Sequence, residues 1–465
     1  MMSTRRRATA IGLALVTLTA CGGGGESGGG GGGGATDPIV VWTTDTLPDR
    51  VKATEAIIAK FTAKTGIKVE LVGVAEDQFN QVLTSAAAAD RLPDVMGSVS
   101  LEAVRTLGTN DLIDTEANAA IVASLGENTF AKRALELTRD GDAQLAVPDT
   151  SWVQLLYYRK DLFAAAGLPA PDSYDAILAA AKALDSEQVA GFVGATSPGD
   201  AFTQQTFEHI ALANGCDLVD DQGKITLGSD QCVRAFDFYG NLVSKYSVAG
   251  AQDVDTVRAS YFAGQSAMAV WSTYLLDELA GLRDDALPSC PQCKADPTFL
   301  AKNTGVVAAL SGPDGKPAQY GQVLSWTVAA KSATEPASTF VKYMLQDGYA
   351  DWLAIAPEGK YPVRAGTQQS PTEYRDLWKT LPAGVDREAP LSDFYGPEIL
   401  DQLAGGVDTL NRWAITQGQG DLIGAVVGEA PVQKAVSAVT TEGLSGRDAA
   451  AQAQQAVQAI ADGLR

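Results

Sequence analysis

Apolar and polar positions along the chain follow two periods that take turns. Pro38-Ile39-Val40-Val41-Trp42 is a short, nearly continuous apolar run, the pattern of a buried strand. Beyond a polar loop, Thr54, Ile57, Ile58 and Phe61 recur at helical spacing, and Gly66 marks the end of that helix. Residues 68–72 predict a second strand, Phe79, Val82, Leu83 and Ala86 an amphipathic helix, and Pro93-Asp94-Val95-Met96 a third strand. Strands alternating with helices of this length predict a parallel α/β sheet.

The same grammar resumes further on. Ser173 stands as an N-cap before a helix bearing Tyr174, Ile177, Leu178, Ala181 and Leu184. Gly191-Phe192-Val193 predicts a strand, with a helix then running to about Ala213. Residues 224–227 predict a short strand after the Asp220-Asp221-Gln222-Gly223 turn, and Val233, Phe236, Gly240 and Val243 lie along the next helix. Residues 267–271 predict a strand. Pro336, at the first helical position, opens a helix with Phe340, Val341, Met344 and Leu345. The tail from Arg447 is an Ala/Gln-rich helix.

The N-terminus follows neither period. Arg5, Arg6 and Arg7 precede an apolar run over residues 8–18, which ends in Leu18-Thr19-Ala20-Cys21. The pattern is that of a secretory signal peptide over residues 1–20, and its last four residues resemble a bacterial lipobox with Cys21 as the lipid acceptor. Residues 22–34 are all glycine except Glu26 and Ser27, so residues 21–36 read as a flexible tether. No other stretch approaches the ~18 consecutive apolar residues of a membrane span. The expectation is an exported protein, lipid-anchored to the outer face of a bacterial cell membrane.

Composition narrows the classes. At 465 residues the chain exceeds what one core usually supports, so two lobes are expected. With 35 Lys+Arg against 56 Asp+Glu, a net charge of −21 argues against nucleic acid or an anionic lipid surface as the main partner. Cys216, Cys232, Cys290 and Cys293 are even in number in an exported chain, where disulfides are the default. Pairing Cys216 with Cys232 and Cys290 with Cys293 closes two local loops and is preferred; a redox Cys-x-x-Cys or half a zinc site remains open for the second. The only histidine, His209, leaves no multi-histidine metal site and no His-dependent triad to spare, so no metal and no cofactor is expected.

The order of segments resembles the family 1 extracellular solute-binding proteins, the maltose-binding-protein type of ABC importers. The resemblance rests on Ile39-Val40-Val41-Trp42, Phe61-Thr62-Ala63-Lys64-Thr65-Gly66-Ile67-Lys68-Val69, Leu92-Pro93-Asp94-Val95 and Ala146-Val147-Pro148. It continues through Leu155-Leu156-Tyr157-Tyr158-Arg159-Lys160-Asp161-Leu162-Phe163, Ala166-Gly167-Leu168-Pro169, Phe262-Ala263-Gly264-Gln265-Ser266-Ala267-Met268 and Tyr361-Pro362-Val363-Arg364.

What it implies is an α/β, two-lobed periplasmic-binding-protein-like fold of class II type, with a hinge between two lobes that each contain a parallel sheet. Crossings are expected near residues 146–151, 306–311 and 357–364. Lobe one would be residues 37–147 plus 312–356, and lobe two 148–311 plus 357–465. The resemblance implies a binding protein without catalysis: a monomer that traps a sugar, a di- or oligosaccharide by preference, by hinge closure and delivers it to ABC permease subunits. The alternatives are an exported carbohydrate-active enzyme or a surface sugar sensor.

In such a cleft, aromatic faces cover the sugar's C–H faces and polar side chains bond its hydroxyls. Ligands sit beyond the carboxyl ends of strands. The candidate ligand-binding residues are therefore Trp42, Asp45, Ser98, Trp152, Asp200, Phe202, Trp271, Tyr274, Trp326, Arg364 and Asp393. The family's stacking tryptophan aligns with Tyr274, which leaves Trp271 or Tyr274 as the stacking ring. Trp42 and Trp326 have core packing as an equal alternative, and Arg364 has bracing of the hinge.

Overall fold

The first apolar run forms strand β1 (Ile39–Thr43), and its lack of alternation has a simple cause. Ile39 and Val41 enter the main core, while Trp42 on the opposite face joins a second buried cluster with Val74, Phe79, Leu83 and Met96. Strands β2 (Val69–Gly73) and β3 (Val95–Val99) pair with β1 in parallel. The connecting helix Pro48–Thr65 buries Thr54, Ile57, Ile58 and Phe61; it ends at Gly66, whose φ of 77° lets its N–H close onto Thr62. The structure is a computed structural model and describes residues 37–464. The signal peptide, Cys21 and the tether lie outside the described residues.

A small hairpin, β4 (Arg139–Asp140) with β5 (Ala143–Gln144), leads into β6 (Val147–Arg159). This strand is 13 residues long and changes partners midway. From Val147 to Val153 it pairs antiparallel with β9 (Gly321–Val328), and at Thr150 and Ser151 it also pairs with β10 (Tyr361–Pro362). From Gln154 to Arg159 its partners are β7 (Met268–Ser272) and β8 (Thr304–Val307). β9 also pairs with β3, so one order runs β10-β6-β9-β3-β1-β2 and the far half of β6 carries β7 and β8.

Several sequence expectations need correction. The sheet is parallel only across β2-β1-β3; β9 joins β3 antiparallel. Gly191-Phe192-Val193 makes a single bridge to β7 through Val193 and Ala269, and residues 224–227 likewise make one bridge, Val219 to Ile225. The helix expected to open at Pro336 begins two residues earlier, as Thr334–Met344. Proline in the first turn is tolerated because N–H groups there have no intrahelical partner. The Ser173 cap forms as expected, accepting from Ala176 N–H at 3.4 Å.

Cys216 is bonded to Cys232, and Cys290 to Cys293. All four are buried, which suits structural links rather than an accessible redox pair. Among the described residues no cluster of His, Cys, Asp or Glu could hold a metal ion, and no single helix is long and apolar enough to cross a membrane. The first disulfide closes a loop of 16 residues, for which the chain-entropy model gives about 3 kcal/mol. Replacing both Cys216 and Cys232 by Ala is expected to lower unfolding free energy by about that amount. Urea denaturation of variant and parent under non-reducing conditions measures it, and an unchanged midpoint would refute the expectation.

Candidate functional site

A cleft of about 640 Å³ opens beside the point where β6 changes partners. Seven of the eleven candidate residues line it: Asp45, Ser98, Trp152, Asp200, Phe202, Trp271 and Tyr274. All but Trp152, which lies within β6, stand at or near the end of a strand or the start of a helix. Asp45 lies two residues beyond β1, and its N–H bonds Thr43 Oγ1 at 3.2 Å. Ser98 sits in β3 at an irregularity in the pairing with β9, with φ of 55°, a conformation non-glycine residues seldom adopt. Its hydroxyl is buried and finds no protein partner. Asp200 caps the helix Ala201–Ala213, accepting from Phe202 N–H at 2.9 Å and from Val254 N–H at 3.1 Å.

The aromatic wall is assembled across the partner change. Trp152 on β6 lies 6.4 Å from Tyr274 and 5.9 Å from Tyr320, centroid to centroid. Trp271, next to last in β7, donates its indole N–H to the Val254 carbonyl at 3.2 Å and lies 5.8 Å from Phe202. Tyr274 is held from behind by the Arg50 guanidinium, 4.9 Å from its ring, and by Gly359, where a Cβ would fall 1.9 Å from the phenol. Only glycine permits that approach.

The other four candidates lie elsewhere. Trp42 packs in the second core cluster, because β1 buries both faces. Trp326 is fully buried, edge-on to Trp352 at 5.1 Å and to Phe340 at 5.7 Å, in space left by Gly97. Arg364 donates to Thr129 Oγ1 and to the carbonyls of Leu345 and Leu125, bracing three segments. Asp393 is exposed in the short helical turn Leu391–Asp393, outside the cleft lining.

Two buried ion clusters flank the cleft, and of their members sequence reasoning named only Asp45. In the first, Asp45 meets Lys360 at 3.0 Å and Arg50 at 3.3 Å, with Glu358 3.8 Å from Arg50. Burial alone would raise the Asp45 pKa, but the two cations outweigh it and hold the carboxyl below its ordinary range. In the second, Arg412 bridges Glu102 and Glu208, its Nε donating to Glu208 Oε1 at 3.2 Å. Gln322 donates to the other Glu102 oxygen at 2.6 Å, and Trp413 N–H to Glu208 Oε1 at 2.7 Å. Burial raises the Glu208 pKa and Arg412 only partly offsets it, whereas at Glu102 Arg412 and Gln322 overcome burial and lower it. Neighbouring His209 accepts from Tyr320 N–H at 3.1 Å, and burial drops its pKa to about 3, so it stays neutral.

The helix Ala201–Ala213 carried the missed signal. Gln204, Thr206, Glu208 and His209 sit among Phe202, Phe207 and Ile210, so polar and apolar residues share faces that are nearly all buried. Buried polar groups without local partners imply distant ones or a ligand.

Removing Arg412 would leave two buried carboxylates without their cation, a loss of about 3–5 kcal/mol. Arg412→Met is expected to be destabilised most near pH 7, with the deficit shrinking as pH falls and the carboxyls, their folded pKa values now raised, take up protons. Urea midpoints at several pH values check this; a deficit that grows on acidification would contradict it.

A family profile for bacterial extracellular solute-binding proteins matches residues 44–351. The ABC transporter periplasmic-binding protein YcjN of Escherichia coli is 28% identical over 391 residues, covering 79% of this chain and 86% of its own. Among solved structures, the GacH receptor of Streptomyces glaucescens, determined unliganded and with acarbose, superposes with a TM-score of 0.69 at 20% identity, covering 91% of this chain and 98% of that one. Maltose-bound MalE3 of T. maritima superposes with a TM-score of 0.70 at 18% identity, covering 90% and 99%. The fold is thus the two-lobed α/β fold expected from the segment order, and the chain belongs to the bacterial extracellular solute-binding proteins.

Proposed function

We propose that this protein is the membrane-tethered binding protein of a carbohydrate ABC importer. It takes a di- or oligosaccharide into the cleft, closes over it and presents it to permease subunits. The observation that carries this reading is the composition of the cleft wall. Trp152, Phe202, Trp271 and Tyr274 face a volume that also meets buried polar atoms of Ser98 and Gln204 without protein partners. Aromatic faces next to unpaired donors and acceptors are what a sugar, with its C–H faces and hydroxyl rim, requires. The sugar ligands of GacH and MalE3 support the same ligand class.

The two lobes, residues 37–147 plus 312–356 and 148–311 plus 357–465, move about the partner change in β6. Cys21, once acylated, anchors the chain through the tether, and the protein acts as a monomer. Binding without catalysis is favoured by the carboxylates themselves. Glycoside hydrolysis needs a pair of carboxyl groups free to exchange protons across the bond. Here Asp45 and Glu102 are held by cations and Asp200 by two backbone N–H groups, so Glu208, with one oxygen open, has no free partner among these three.

Incubation of the purified protein with mono-, di- and oligosaccharides is expected to raise its melting temperature with the matching sugar, which is recovered intact. Product formation would defeat the binding-only reading, and no shift across the panel would defeat the carbohydrate reading. Trp152→Ala and Trp271→Ala each remove an aromatic anchor, and each is expected to weaken sugar binding roughly 30-fold, about 2 kcal/mol, by calorimetry. Unaltered affinity in both would remove the aromatic wall from the site.

A further inference from the structure

The cleft lining is unbalanced in charge. Asp45, Glu76, Glu102, Asp200 and Glu208 line it, against the single cation Arg50. Most of this charge is answered by the protein. Asp45 has Arg50 and Lys360, and Asp200 has a helix N-terminus with two N–H groups. Glu102 and Glu208 share one guanidinium, that of Arg412, so this floor of the cleft holds two carboxylates for one cation.

The imbalance is focused on one atom. Glu208 Oε1 accepts from Arg412 and Trp413, while Oε2 meets no protein donor although the side chain is fully buried. One helical turn earlier, Gln204 also lines the cleft, is 2% exposed, and has neither its amide oxygen nor its nitrogen bonded to protein. Residues four apart on a helix are neighbours on one face. Gln204 and Glu208 therefore present a neutral acceptor and a charged acceptor side by side, in a cleft also lined by the aromatic pair Phe202 and Trp271.

A hydroxyl could bond to Glu208 Oε2 but would leave the second carboxylate charge uncompensated in a buried setting, where charge is expensive. An ammonium compensates it, donates to both acceptors, and is attracted by aromatic faces. We propose that the ligand is an amino sugar, or an oligosaccharide carrying a basic nitrogen, whose protonated amine binds Glu208 with Gln204 as second acceptor. This rests on the carbohydrate reading above and names the chemical class within it. Anionic sugars are disfavoured by the same lining.

The test is calorimetry at pH 7 on matched sets that differ only in one substituent: glucosamine, N-acetylglucosamine and glucose; galactosamine, N-acetylgalactosamine and galactose; and the β-1,4-linked disaccharides of glucosamine, N-acetylglucosamine and glucose. In every set with measurable binding, the free amine is expected to bind about tenfold or more tightly than its neutral and acetylated counterparts. The ratio is expected to collapse toward one in Glu208→Gln and to persist in Glu208→Asp, which keeps the charge. Equal or tighter binding of the neutral member overturns the proposal and leaves the carbohydrate reading standing. An amine preference that survives Glu208→Gln also overturns it. Absence of binding in every set overturns the proposal, and the carbohydrate reading is then decided by the melting-temperature panel above.

Discussion

Strand β6 is bonded to β9 along its first half, with β10 beside it at Thr150 and Ser151, and to β7 and β8 afterwards, and the cleft is laid out from that constraint. A strand with two partners has no freedom to slip, because a one-residue shift would turn every side chain to the opposite face. Trp152 stands two residues before Gln154, where the second set of partners begins. Gln154 N–H bonds the Tyr320 carbonyl at 3.0 Å, and Thr273 N–H bonds the Val153 carbonyl at 3.1 Å. These backbone bonds draw Tyr320 and Tyr274 to Trp152 from segments far apart in sequence. The aromatic wall is thus a consequence of where the ladder changes hands.

The buried ions depend on the same scaffold. Lys360 is fully buried, lies 3.8 Å above the Trp352 ring and reaches Asp45. Trp352 in turn packs on Trp326, which fills the space at Gly97. A chain of contacts therefore runs from the interior of the sheet to the carboxylate beyond β1. Such pairs gain little net stability, since desolvation offsets their attraction, but losing one member is costly. Their effect is to make the positions of Asp45, Arg50 and Tyr274 interdependent in this arrangement.

Much of the fold was legible because its signals are local. Gly66 ends its helix, Ser173 caps its helix, and the first three strands fall within three residues of their expected places. The antiparallel entry of β9 was not legible, because nothing within residues 321–328 records which edge of the sheet is vacant. At the site, the rule that ligands lie beyond strand ends led to Asp45, Ser98, Trp271 and Tyr274. It could not find Arg412, whose partners Glu102 and Glu208 are separated from it by 310 and 204 positions.

Trp326 and Trp271 show why residue type alone could not settle the aromatics. Both lie on strands, both are large and both are mostly buried. Trp326 is enclosed by Phe340, Trp352 and the bare backbone at Gly97, so its surface is spent on packing. Trp271 anchors its indole N–H to the Val254 carbonyl and keeps a face toward a cleft where Gln204 and Glu208 still have unmatched polar atoms. An aromatic ring can serve as recognition surface where polar groups without protein partners share its cavity, for a ligand's hydroxyls can there replace the bonds that water makes in its absence. What distinguishes the two rings is set by three-dimensional neighbours: Trp271 lines the cleft, whereas Trp326, whose indole N–H also lacks a protein partner, does not.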